Sequence, residues 1–244
     1  MRIDRRLCLA TLLAASLATL SACSRGTDAS RSARATRPAN TVSRDAPQAP
    51  STSTLPQADP RTPDSEYQTV TGGNQLMFLY YAVVGLPVDY EKAAQHYSND
   101  YRSTADAFRK KDLLDALRPR IDMEVEKSKQ HRYFTLEGQV YLGHYDFSSK
   151  GFPINNLVTG SAYAYFYDNA EYKYSYTNGD TFKLLKVSDE SVARRIEDLV
   201  QHGTPLVLRV YAFAQDADPS SEVVKSEIVK VRLLDPRGVE LAAE

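Results

Sequence analysis

Apolar residues are sparse from residue 24 to residue 66 and dense from Tyr67 to the end, and within the dense part their spacing changes from helical to alternating. The run "NQLMFLYYAVVGLP" (74–87) is apolar on every side and stops at Gly85 and Pro87, which predicts a buried helix. In "DYEKAAQHYSNDY" (89–101), Tyr90, Ala93, Ala94 and Tyr97 share one helical face. Segment 103–130 continues the pattern with Ala107, Phe108, Leu113, Leu114, Leu117, Ile121 and Val125. Pro119 inside it is expected to kink or split the helix. Its mixed-sign charges read as a solvated face.

Beyond residue 130 the period becomes two. "RYFTLEGQVYLGHYDF" (132–147) alternates Phe134, Leu136, Val140 and Leu142 against Thr135, Glu137 and Gln139, with Gly138 at the place for a bulge. Asn178-Gly179 is a two-residue hairpin signal. "DESVARRIEDLVQHG" (189–203) is amphipathic, with Ser188 placed to cap it and Gly203 to end it. "TPLVLRVYAFAQ" and "EVVKSEIVKVRLL" form a last strand pair joined by "DADPSS". Helices first, then strands with one intervening helix, predict an α+β domain: N-terminal helices packed on a mainly antiparallel sheet.

Between those strands lies "SAYAYFYDNAEYKYSYTNGD" (161–180), with six tyrosines at two-residue spacing. A symmetric loop at 168–171 sets Tyr167 opposite Tyr172, Tyr165 opposite Tyr174 and Tyr163 opposite Tyr176. All six then share one face, unless a bulge breaks the register. Such a ladder is either a structural sheet face or a candidate surface for sugar or peptide, since each ring has an apolar body and a polar tip.

The amino terminus adds an address. Arg2, Arg5 and Arg6 precede the apolar stretch "LCLATLLAASLATL" (7–20), which has the form of a secretion signal and is too short for a stop-transfer span. It runs into Leu20-Ser21-Ala22-Cys23, which resembles the bacterial lipobox cleaved by signal peptidase II. The resemblance implies removal of residues 1–22 and acylation of Cys23, with membrane anchoring through about 0.8 kcal/mol per buried methylene. Ser24, where an Asp would resemble an inner-membrane retention signal, implies the periplasmic face of the outer membrane. The chain has two cysteines, Cys8 and Cys23, so processing leaves the body without a thiol, a disulfide or a Cys-ligated metal. Residues 24–66, rich in Ser, Thr, Ala, Pro and Arg, are expected to be a disordered tether whose ends lie about 35 Å apart. The domain is then expected over 67–244.

Chemistry is sparse. A formal charge of −1 gives no basic field to recruit nucleic acid. The four histidines, His96, His131, His144 and His202, show no metal-ligand spacing, and no cofactor fingerprint occurs. His144 and Asp146 share a strand face and are placed to orient one another, but no nucleophile motif accompanies them. "YYAVVGLPVDYEKAAQHYSNDYRSTADAFRKKDLL", "YDFSSKGFP" and "DESVARRIEDL" resemble a family of bacterial proteins known only as a domain of unknown function. That likeness covers most of 75–235 and implies no catalytic residue. The expectation is therefore a non-catalytic, lipid-anchored periplasmic module that binds an envelope protein or peptidoglycan, without cofactor. An inhibitor or immunity lipoprotein and a hydrolase with an unrecognised site are the alternatives.

Overall fold

The structure, a computed structural model, describes residues 55–244; the leader, Cys23 and the tether up to residue 54 lie outside the described residues. In chain order the elements are β1 (Gln68–Thr69), α1 (Gly73–Val83), α2 (Tyr90–Tyr97), α3 (Asn99–Ser103), α4 (Ala107–Gln130), β2 (Tyr133–Val140) and β3 (Gly151–Pro153). There follow β4 (Ala164–Phe166), β5 (Asn169–Tyr176), β6 (Leu184–Lys186), α5 (Glu190–Gln201), β7 (Leu206–Asp218), β8 (Val223–Leu234) and β9 (Glu240–Ala243). This is the expected α+β fold, built on a mostly antiparallel seven-stranded sheet with β3 and β6 as a small second sheet.

The sheet runs β1-β2-β7-β8-β5-β4, with β9 also on β8. The long strand β8 pairs along one edge with β7 and splits its other edge between two partners. Its first half takes β5 in parallel, from Lys173↔Val223 to Tyr176↔Ser226, and its last residues take β9. Between the two, the Asn178 side chain fills the gap: Nδ2 donates to the Ile228 carbonyl (2.8 Å), and Oδ1 accepts from the Ile228 N–H (2.8 Å). Asn178-Gly179 therefore does not turn a hairpin. It opens a short 3₁₀ turn (Gly179–Phe182), and the amide of Asn178 replaces a missing strand neighbour.

α1 lies against the inner face of the sheet and α4 packs on α1 from outside, so Leu76 to Tyr81 are all buried. That is why an apolar run with no polar face forms a helix here. Gly85, at φ +70°, turns the chain out of it. α4 runs unbroken through Pro119. Its buried stripe is Leu114, Leu117, Ile121 and Val125, and the proline sits on the exposed side, where water can reach the carbonyl it frees. Phe108, read as part of that stripe, is instead 84% exposed. α5 is capped by Asp189, not Ser188: Asp189 Oδ1 accepts from the N–H groups of Ser191 (2.8 Å) and Val192 (3.1 Å).

The packed body also begins earlier than Tyr67. Residues 55–67 cross the outer face of the sheet as a strap. The Pro56 carbonyl accepts from Gln215 Nε2 (2.8 Å), Ala58 N–H donates to Glu227 (2.9 Å) and Asp59 N–H donates to the Tyr133 hydroxyl (2.7 Å). Asp64 pairs with Lys230 and with Arg232 (2.6 Å). The strap brings little apolar area, so hydrophobicity alone marks it as tether. It is held by polar complementarity to a face that carries Glu227, Lys230 and Arg232.

Candidate functional site

The six tyrosines do not share a face. The hairpin closes on Phe166↔Asn169 around the two-residue turn Tyr167-Asp168, and the next pair is Tyr165↔Lys173. Residues 170–172 are thus extra on β5, a bulge that shifts everything after it. Ala164 faces Tyr174, so the tyrosines of β5 point to the opposite side of the sheet from those of the first strand. Tyr172 and Tyr176 are buried, at 0% and 3% exposed, and Tyr174 is half-buried. Tyr163, Tyr165 and Tyr167 are exposed, at 51%, 45% and 96%.

Asp168 explains the register. Both its carboxylate oxygens accept from the Gly73 N–H (3.0 Å each), so the hairpin tip caps the N-terminus of α1, where Gly72 offers no side chain. Asn169 follows it into the body, at 3% exposed, with Nδ2 on Asn74 (3.1 Å). Gly73 must be glycine, because a Cβ there would sit 2.5 Å from the Asn169 carbonyl. Asp-Asn is the turn signal in the sequence. Its partner, the bare end of α1, lies 95 residues away and is visible only in the fold.

On the inner side, Tyr172 sits among Tyr80 and Tyr81, with its hydroxyl 3.0 Å from that of Tyr81. Beside it lies a cluster of charges. Lys92 Nζ reaches Glu171 (2.9 Å) and Glu222 (3.1 Å), and His96 Nε2 meets the other oxygen of Glu171 (2.6 Å). Burial alone would lower the Lys92 ammonium, but the hydrogen bonds to Glu171 and Glu222 outweigh it and raise the pKa above that of ordinary lysine. Burial would raise Glu171, and Lys92 and His96 reverse it to a net lowering. A lysine held protonated is no nucleophile, and a carboxylate held ionised is no general acid. The cluster staples α2 to β5 and to the β7–β8 turn.

His144 and Asp146 do not meet. His144 Nδ1 lies 2.7 Å from Glu197 on α5, and Asp146 accepts from Ser148 N–H (2.8 Å) and from the hydroxyls of Ser148 and Ser149 (2.7 Å each). Those serine bonds, Ser149 first, hold the Asp146 carboxyl down at about 2. Both hydroxyls that could have served as nucleophiles are turned to Asp146, and neither is bonded to His144. Among the described residues, no group of three or more His, Cys, Asp or Glu side chains is placed to hold a metal ion, and no helix is long and apolar enough to cross a membrane.

The outer side is different. Tyr165 and Tyr167 meet edge to face (centroids 5.7 Å, 80°), and Lys173 Nζ lies 5.4 Å from the ring centre of Tyr163 while bonding the Ser221 carbonyl (2.9 Å). Next to Tyr163 a cavity of about 480 Å³ opens between Gly160, Ser175, Asp218 and Lys225. Hydrogen bonds from Ser220 and then Ser221 keep Asp218 below the usual carboxylate range, so the cavity carries one fixed anion beside a lysine. Three exposed rings, two ammonium groups and a carboxylate suit a ligand that is stacked upon and hydrogen-bonded. Comparison with protein-family models, with curated proteins and with solved structures yields no match for this chain.

Proposed function

We propose that this chain is a lipid-anchored, non-catalytic binding module facing the periplasm, and that Tyr163, Tyr165, Tyr167 and Lys173 form its recognition surface for an envelope protein or a cell-wall component. The observation that carries this reading is the exposure of the three neighbouring rings Tyr163, Tyr165 and Tyr167, while Tyr172 and Tyr176 of the same hairpin are buried and Tyr174 is half-buried. Exposed, rigid aromatic side chains concentrate interface energy because they offer large area for little conformational entropy. The address rests on Leu20-Ser21-Ala22-Cys23 and Ser24, and on the absence of any cysteine after Cys23. The charge pairing of Lys92, Glu171 and Glu222, and the separation of His144 from Asp146, favour binding over hydrolysis.

Two measurements test it. Labelled palmitate should enter the wild-type chain and not the Cys23→Ala chain; failure to label the wild type overturns the anchor. The full chain should co-sediment with purified peptidoglycan, or cross-link to an envelope protein from a photoreactive residue at position 161, beside the patch. Either association should weaken by tenfold or more in Tyr165→Ala/Tyr167→Ala, which is the scale of hot-spot truncation. Undiminished association in that double variant overturns the surface.

A further inference from the structure

On β2, positions 134, 136, 138 and 140 point to the inner face, and three of them are core: Phe134, Leu136 and Val140 are 1%, 3% and 5% exposed. The fourth is Gly138. Its strand is regular there, with Gly138 opposite Leu208 and no break in register, so the glycine makes no bulge. It leaves a space instead: a Cβ added at Gly138 would find no atom within 4 Å, and the backbone is not in the left-handed region. That space is the mouth of a cavity of about 170 Å³ whose walls include Leu136, Val158, Leu208 and Val210. Tyr174 and Tyr176 also line it.

Those two tyrosines are the unusual part of the wall. Neither hydroxyl has a hydrogen-bond partner among the described residues, and burial raises both phenols, so each remains a neutral O–H donor. Neither oxygen is sealed off from solvent, so each is free to donate to a ligand oxygen in the cavity. Glu137, the charge at the mouth, is occupied by Arg209 (2.6 Å). An apolar cavity of roughly 150 Å³ is enough to hold benzene.

We propose that the Gly138 cavity binds a small uncharged molecule, benzene- to indole-sized and apolar in body, with one hydroxyl or carbonyl oxygen that accepts a hydrogen bond from Tyr174 or Tyr176. The site lies on the inner face of the sheet, opposite Tyr163, Tyr165 and Tyr167, and is independent of the surface proposed above. Aromatic alcohols fit it, and anions do not, because no unpaired cation stands on its wall.

The test uses the full chain in detergent with labelled methyl groups, titrated with p-cresol, toluene and benzoate. Wild type and variants share the detergent, so partition into it cancels. p-Cresol should shift the methyl signals of Leu136, Leu208 and Val210 saturably, and benzoate should not. Gly138→Val, which an extended strand accepts, should fill the space and abolish the shifts. Tyr174→Phe or Tyr176→Phe should weaken p-cresol between about two- and tenfold, the worth of one hydrogen bond, while leaving toluene unchanged. Tyr165→Ala should bind p-cresol like the wild type, which separates this site from the outer surface. No saturable shift with p-cresol, meaning a cavity that holds water only, overturns the proposal, as does undiminished binding in a folded Gly138→Val. Should Gly138→Val not fold, the two Tyr→Phe variants decide, since each removes a single oxygen; equal loss of p-cresol and toluene, or no loss of either, overturns the hydrogen bond and with it the proposed ligand class.

Discussion

Tyr165 and Tyr172 lie seven residues apart in one hairpin, with the same side chain, and their environments are opposite. Tyr172 is fully buried against Tyr80 and Tyr81, with its hydroxyl shared, whereas Tyr165 stands on the outer face with nearly half its surface in solvent. Nothing in either residue's immediate sequence makes the difference. The three-residue bulge at 170–172 does, and the cap that Asp168 places on α1 holds the bulge in register. A local pattern chose the residue type, and a contact from far along the chain chose its face.

The largest test of that contrast is a pair of truncations. Tyr172→Ala should cost about 3–5 kcal/mol, the range for large aromatic side chains in packed interiors, and it leaves the Tyr81 hydroxyl only its long bond to the Asp89 carbonyl (3.5 Å). Tyr167→Ala, at a position 96% exposed, should change stability by less than about 0.5 kcal/mol. Urea melts of the two variants measure both values. Equal losses would mean that the hairpin does not divide its tyrosines between faces.

A second test goes to the cause. Asp168→Ala should cost about 0.5–2 kcal/mol, as loss of a helix cap does. The amide of Gly73 should also lose protection from hydrogen exchange relative to amides in the middle of α1. If the melt midpoint and the Gly73 amide are both unmoved, Asp168 is not what sets the register.

What could be read from the sequence follows the same division between local and distant causes. The buried helix over 74–87, the amphipathic α5 and the β7–β8 pair rest on periodicity and on stop signals such as Gly85 and Gly203, and all three formed. Pro119 breaks nothing because it lies on the water-facing side of α4, a fact about rotation and not about propensity. Asn178-Gly179 looked like a hairpin because its flanks alternate. Its real partner, Ile228, is 50 residues away on a strand with a gap to fill. The strap was invisible because it is held by hydrogen bonds and one carboxylate, which leave no hydrophobic trace. Gly138 had a signal, a glycine where the strand pattern asks for a core residue. Alternation alone could not tell a bulge from a cavity.

The smallest expected effect concerns the other half of the outer face, which unlike the tyrosine patch is covered. The strap is pinned there by Asp64, whose carboxyl is held below the usual range first by its hydrogen bond to Lys230 and further by the Lys230 and Arg232 charges. Because the folded value lies below the unfolded one, this pairing contributes stability above the ordinary carboxylate range, and the contribution fades as pH falls through the folded value. The Asp64 side chain is 42% exposed, so screening by water limits the contribution to less than about 1 kcal/mol. Asp64→Asn should therefore lower stability slightly at pH 7, and the gap from wild type should close in acid and in high salt. Proteolysis between residues 55 and 64 should quicken in the variant at neutral pH, with the rest of the body untouched. No gap at any pH from neutral to well below the usual carboxylate range would show that the strap is held by its backbone hydrogen bonds to Glu227, Tyr133 and Gln215 alone. The covered and the open halves of the face would then differ for reasons that have nothing to do with charge.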